Sequence, residues 1–394
     1  MNSQKYKHNI LKIFSIQILM RMHFIAAVLI PFFTDWGKIN FTKILFIQAW
    51  FMIWVFLLEI PTGTIADFFG RKVSIILGAL LGSIGFLVYA STPNFYIFLL
   101  GEFILAVSVA LISGSIEAIA YDSLKKLDQE ATSKKIFANL ESFSLASMVI
   151  GALLGSVFAK FFGLRETVLI QAIPAFLAFI VACTLLEPKT QKENKEISYI
   201  ETLFKGVKYF LKHKVLIILA SDFISVGALA FLIIWFYQAI LKLSGVDIVY
   251  FGIVHSLLVI SQIIIIKSFN IFEKFLGSKR AYLFFSSIIT GVFYIILGLI
   301  SYLPIIILSI ILCTGFGMSR RPLFINYMNK HIPSEQRATI LSTVSMFRTL
   351  AIAIVYPLAG FLADISIQMT MLIIGATLIV LAFVSKVKEE HLIN

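Results

Sequence analysis

Six ionisable side chains stand inside stretches that are otherwise apolar: Arg21, Glu102, Glu117, Glu141, Asp222 and Arg348. A charge at the centre of a membrane helix costs about 2.5–3.5 kcal/mol on insertion scales, so it is seldom kept without a use. Carboxyl groups in such places can exchange protons or hold cations, because burial disfavours their charged form. The competing role for each of the six is a structural ion pair that fixes helix register. Glu59, Asp122 and Asp364 fall near the ends of apolar runs, where a hydrated boundary position is the simpler account, and His255 reads as a hydrogen-bonded packing residue. A second constellation is Glu59-Ile-Pro-Thr-Gly-Thr-Ile-Ala-Asp-Phe-Phe-Gly-Arg-Lys72, which sets Pro61, Gly63 and Gly70 among the charges of Glu59, Asp67, Arg71 and Lys72. Apolar runs flank it on both sides. The pattern predicts a sharp turn between two membrane helices, held at the water boundary.

The elements that must position these residues follow from composition. The chain of 394 residues is 59% hydrophobic, contains 38 Phe and is only 14% charged, against about 25% charged in a soluble domain. Repeated apolar runs of about 20 residues can each cross a hydrocarbon core, which predicts an all-α polytopic membrane protein. Cys183 and Cys313 lie in apolar runs without metal-ligand or disulfide spacing, and read as small hydrophobes. The first apolar run carries Arg21 and His23 and shows no small-residue cleavage site, so it is expected to remain as a helix.

Gly/Pro and charge breaks place twelve spans, near 10–33, 44–65, 73–91, 94–121, 136–162, 166–186, 215–240, 248–271, 281–301, 304–326, 338–363 and 367–385. The expected organisation is a six-helix bundle over 1–186, a cytoplasmic linker over 187–214 and a second six-helix bundle over 215–394. Within the linker, Ile197, Ile200, Leu203, Phe204, Val207, Phe210 and Leu211 recur at helical spacing, with Lys205, Lys208 and Lys212 largely between them. This predicts an amphipathic helix, lying on the membrane or solvated as a connector.

An even number of spans puts both termini on one side. Of the chain's 33 Lys and Arg, the loops opposite the termini hold only Lys38, Lys43, Lys160, Arg165 and Lys242, and Arg21 and Arg348 lie inside spans. The rest fall on the side of the termini, which the positive-inside rule assigns to the cytoplasm together with the 63–72 turn. The net charge of +12 is thus mostly topology plus attraction to anionic lipid. Basic residues scattered over short loops are a poor nucleic-acid surface. The halves also echo one another: Gly70-Arg71-Lys72 after span two recurs as Gly277-Ser278-Lys279-Arg280 after span eight. Tyr121, Lys134-Lys135 and Phe143 after span four are matched by Tyr327, Arg337 and Phe347 after span ten. Parallel repeats of six helices are the plan of a rocking transporter with its site near the bilayer midplane.

Gly63-Thr-Ile-Ala-Asp67-Phe-Phe-Gly70-Arg71-Lys72 resembles the G-x-x-x-D-x-x-G-R-[KR] loop signature of the major facilitator superfamily, at its position between spans two and three. With Glu59 and Pro61 included, the pattern is similar to one found in some tetracycline, macrolide and multidrug exporters. The resemblance implies twelve helices in two pseudo-symmetric six-helix bundles. It also implies a cytoplasmic latch in which Asp67 and Arg71 meet an acid at the end of span four, here Asp122. Gly63 and Gly70 would permit close helix approach, and Asp67 would serve helix N-termini. Since spans one, four, seven and ten line the cavity in the superfamily, the resemblance makes Arg21, Glu102, Glu117 and Asp222 pocket residues. Glu141 and Arg348 would face either the pocket or the interface.

Two departures bear on mechanism. Exporters of the superfamily often carry an arginine early in span four, and here the matching residue is Glu102; span five has Gly151-x-x-x-Gly155 but not the Gly-Pro continuation of the antiporter signature. The expected function is a monomeric, multi-pass plasma-membrane transporter with both termini cytoplasmic. It would work by alternating access and export an amphiphilic, drug-like molecule against protons. Uptake or uniport of a metabolite and a non-transporting receptor are the alternatives. With no G-x-x-x-x-G-K-[ST], HExxH or GxSxG, neither an ATP site nor an enzyme is expected, and the proton gradient stands where a cofactor would. The partners implied are a small-molecule substrate, protons and the bilayer, with no nucleic acid and no metal.

Overall fold

Hydrocarbon offers the backbone no water, so a spanning chain must close its hydrogen bonds within each segment, and this chain does so as helices. The structure, a computed structural model, describes residues 2–188, 199–333 and 336–393, and no strand occurs among them. Among the described residues, twelve helices are long and apolar enough to cross a membrane. Spans one to six are Tyr6–Ala27, Phe41–Glu59, Arg71–Tyr89, Phe95–Lys125, Glu130–Phe162 and Leu164–Cys183. Spans seven to twelve are Lys214–Leu243, Ile248–Lys267, Lys279–Leu299, Leu303–Lys330, Thr339–Ile365 and Ile367–Val384.

The chain forms two compact units that interleave in sequence. Unit 1 comprises Met1–Ile39, Trp50–Lys195 and Asp247–Ser256, and unit 2 comprises Asn40–Ala49, Glu196–Val246 and Leu257–Asn394. Beyond a division at the linker, the start of span two therefore groups with unit 2 and the start of span eight with unit 1. Polar anchors explain both. Asp364 of span eleven accepts the backbone N–H of Phe41 at 2.7 Å and of Thr42 at 3.0 Å, together with the Thr42 hydroxyl. In unit 1, Ser156 of span five donates to the Val249 carbonyl at 3.0 Å, and Lys160 pairs with Asp247. Asp364 is thus a cap for the helix starting at Phe41, a role beyond the hydrated boundary position expected for it.

Unit 1 is centred on Ile13, Ile16, Ile75, Ile116, Ile119 and Leu140, and unit 2 on Leu219, Phe223, Tyr282, Phe324, Tyr327 and Val344. The linker helix Tyr199–Lys212 docks on unit 2 through Phe210, while Leu211 of the expected apolar face is exposed. Phe210 is buried in the unit 2 core and packs on Phe347 of span eleven at 5.5 Å between ring centroids. Ile197 and the side chains of Ile200, Leu203, Phe204 and Lys205 lie outside the described residues.

Several spans are broken rather than continuous. Span one ends its regular helix at Arg21 and continues through a 3-10 turn, Phe24–Ala27, to a π-helical turn, Phe32–Trp36. Gln171 of span six holds the break, its amide donating to the Met22 carbonyl at 2.9 Å while its oxygen accepts the Phe24 N–H. The break lies directly against span five, because a Cβ on Gly151 would stand 2.7 Å from the His23 nitrogen and one on Gly155 would overlap the Phe24 carbonyl. Span four divides into Phe95–Ile112 and Ser115–Lys125 around Gly114, whose φ of +72° suits a residue without a Cβ.

Candidate functional site

The signature between spans two and three is tighter than a hinge. The helix that starts at Phe41 runs on to Phe69 and passes through Pro61 and Gly63, so the expected Gly/Pro turn contracts to Gly70 alone, with φ +97°. Proline is tolerated in such a helix when neighbouring groups secure the backbone. Here the buried Thr62 hydroxyl bonds the Leu58 carbonyl at 2.7 Å and the Ala110 carbonyl of span four at 3.2 Å. Glu59, Pro61 and Asp67 are exposed, and nothing lies within 4 Å of a Cβ placed on Gly63. In this conformation Gly63 serves no close approach.

Beyond Gly70 the charges are engaged. The Arg71 guanidinium pairs with Asp122 near the C-terminal end of span four, and both residues belong to unit 1. The N-terminus of span three is taken by Glu187, a residue the sequence reading passed over, rather than by Asp67. Glu187 accepts the backbone N–H of Arg71 at 3.1 Å and of Lys72 at 2.6 Å, where the helix dipole favours an anion. Unit 2 repeats the device: Glu389 accepts Lys279 N–H at 3.1 Å and Arg280 N–H at 2.8 Å at the start of span nine. The Gly70 and Gly277 echo in sequence thus corresponds to one structural element used twice.

The intramembrane charges divide into three kinds. Glu102 is 6% exposed and receives the Tyr89 hydroxyl at 2.7 Å, beside an aromatic cluster of Phe32, Phe33, Trp36, Tyr89 and Phe98. Asp222 is held on both oxygens, Oδ1 by the Arg320 guanidinium and Oδ2 by the Ser385 hydroxyl. Arg320 also donates to the Leu283 carbonyl and, at 2.8 Å, to Ser286 Oγ. Asp222 thus shows the structural pairing set out as the alternative to a pocket role. Its partner Arg320 was missed because the Arg320-Arg321 pair near the end of span ten was counted with the loop charges. Two adjacent charges inside a placed span were the available signal.

The third kind, the remaining four, is exposed or half-buried, and two of them stand at helix ends. Arg21 closes the first helix of span one, where a cation suits the dipole, and Glu117 sits in the first turn after the Gly114 break, where an anion does. Glu141 is exposed on span five and Arg348 half-buried on span eleven, neither in an ion pair among the described residues. Unit 1 therefore contains Arg21, Glu102, Glu117 and Glu141, and unit 2 contains Asp222 and Arg348. No group of three metal-ligating side chains occurs among the described residues.

A family model described as Major Facilitator Superfamily matches residues 13–318. The chain belongs to the Major Facilitator Superfamily. Membership makes it a multi-pass membrane transporter. Among its relatives in the superfamily, Multidrug resistance protein 1 of Bacillus subtilis (strain 168) is 22% identical over 330 residues, 83% of this chain and 82% of the relative. An uncharacterized MFS-type transporter of Methanocaldococcus jannaschii is 23% identical over 321 residues, 78% of each chain. Two solved structures share the superfamily fold at low identity. The nucleoside transporter NupG gives a TM-score of 0.81 at 15% identity, covering 96% of this chain and 100% of its own. A POT family transporter in complex with 5-aminolevulinic acid gives 0.74 at 16% identity, covering 98% and 97%.

Proposed function

We propose that this transporter exports an amphiphilic, drug-like molecule in exchange for protons across the plasma membrane by alternating access, with both termini in the cytoplasm. The observation that carries the reading is Glu102, a carboxyl in an otherwise apolar part of span four, 6% exposed and bonded to a neutral hydroxyl. A carboxyl in such a place can exchange a proton with water as access alternates, which is the cycle a proton carrier needs. The matched relative named for multidrug resistance supports the cargo class. Arg71 and Asp122 are the latch that makes and breaks as access alternates, with Asp67 joining it in the conformation where span two approaches.

The test uses vesicles containing the purified protein, an internal pH dye and a lipophilic cationic dye as cargo. Wild type should move protons when cargo is added. Glu102→Gln should keep cargo binding, read as a thermal shift, and lose proton movement. Equal proton movement in the variant sinks the role of Glu102, and no cargo-dependent flux in wild type sinks drug export. The second reading, uptake of a metabolite, is favoured by Arg21, a cation at the break of span one suited to an anionic group. Flux of an acidic metabolite that survives collapse of the proton gradient and is lost in Arg21→Gln would support it.

A further inference from the structure

A groove of about 660 Å³ opens in unit 2 between spans seven and twelve. Its mouth carries Lys212 at the end of the linker helix, Lys214 at the start of span seven and Lys386 just beyond span twelve, all exposed. Its walls are Ile217, Leu381 and Val384, the last 60% exposed. Ser225 closes the inner end, about 16 Å along the helix from Lys214.

We propose that this groove is a binding site for an anionic phospholipid, its phosphate held by Lys212, Lys214 and Lys386 and an acyl chain laid along Ile217, Leu381 and Val384. Three features point to that occupant. The lysines converge at one membrane level, because span seven begins and span twelve ends on the side of the termini. The single acid in the lining, Asp222, is already held by Arg320 and Ser385, so the mouth carries uncompensated positive charge. The polarity is graded as in a lipid, charged at the headgroup level and apolar below it, and basic pockets on the cytoplasmic side of helix bundles suit anionic headgroups. An apolar drug would leave the lysines unmatched, and a soluble phosphate would leave the apolar walls uncovered.

Native mass spectrometry of the full-length protein tests the proposal after equilibration in mixed micelles with phosphatidylglycerol or phosphatidylcholine. Wild type should retain phosphatidylglycerol selectively. Each lysine changed to Gln at 212, 214 or 386 should weaken retention by about fivefold, and the triple variant should hold both lipids equally. A control changing Lys125, Lys134 and Lys135 to Gln alters the net charge by the same amount away from the groove and should retain phosphatidylglycerol as wild type does. Equal retention by the two triple variants, or displacement of the lipid by millimolar glycerol phosphate alone, overturns the site. If the groove triple variant elutes as aggregate, Val384→Trp, which fills the apolar wall and leaves the lysines, provides the second reading: it should retain less phosphatidylglycerol than wild type, and unchanged retention there also overturns the site.

Discussion

Asp222 and Arg320 meet with side chains 8% and 4% exposed, and the pair gains little from Coulomb attraction beyond what desolvation removes. Deleting one member is another matter, because the survivor is left charged and buried. Arg320→Met should therefore destabilise the protein by about 3–5 kcal/mol, while Asp222→Leu combined with Arg320→Met should recover most of that loss. Thermal unfolding in detergent of the single and double variants checks this, and a double variant no more stable than the single would show that Arg320 acts through Leu283 and Ser286 instead. The exposed pair Lys160–Asp247 makes a different prediction. The Lys160 ammonium, and then the Val249 N–H, hold the Asp247 carboxyl below its ordinary value. A depressed carboxylate stabilises the fold above about pH 3.9 and loses that contribution as pH falls through the lowered folded value. In Lys160→Met the Asp247 titration followed by carbon NMR should rise toward the ordinary range; an unmoved titration would remove Lys160 as the cause. Legibility at this scale tracked sequence locality. The Gly63-to-Lys72 motif was legible as a local run, and Asp122, 51 residues from Arg71, could be paired with it only through the family resemblance that motif carries; Glu187, 116 residues away, belongs to no motif and reaches Arg71 only through folding.

The break in span one arises from residues on other elements and that in span four from the left-handed Gly114, which is why hydropathy showed twelve spans and not their interruptions. Phe24–Ala27 is as apolar as any helix, and only Gln171 on span six and the glycines of span five show that its backbone is diverted. The same packing separates two glycines that look alike in sequence. Gly155→Ala places a methyl group on the Phe24 carbonyl and should cost about 1–3 kcal/mol by forcing span five from span one. Gly63→Ala meets nothing within 4 Å and should be neutral or stabilising by up to about 1 kcal/mol, since it replaces a helical glycine. Melting temperatures of the two variants order the predictions, and a destabilised Gly63→Ala would mean that a second conformation with Gly63 packed is substantially populated. The paired carboxylate anchors belong to this scale too. Glu187→Gln and Glu389→Gln each remove a charge from a helix N-terminus, and each should lower stability by about 0.3–1 kcal/mol, additively because the two sites share no partner.

Across the whole molecule, the superfamily fixes the machine, and on the proposed reading the few intramembrane charges fix the coupling. A net elementary charge moved through 100 mV is worth about 2.3 kcal/mol, which sustains a cargo gradient of about fiftyfold. If Glu102 carries one proton inward for each neutral molecule exported, vesicles clamped at that potential should approach this ratio. Glu102→Gln should equilibrate cargo to unity while still exchanging labelled for unlabelled molecules. Exchange isolates the conformational cycle from the driving force, so a variant that loses both has lost alternation rather than coupling. Disrupting the Arg71–Asp122 pair should produce that second pattern if, as proposed, the pair belongs to the cycle and not to the proton path. Accumulation ratios and exchange rates measured on the same vesicles distinguish the two. An Asp122→Asn protein that exchanges normally and fails only to accumulate would place the latch in the coupling pathway, and the division of labour between signature and span four would have to be redrawn.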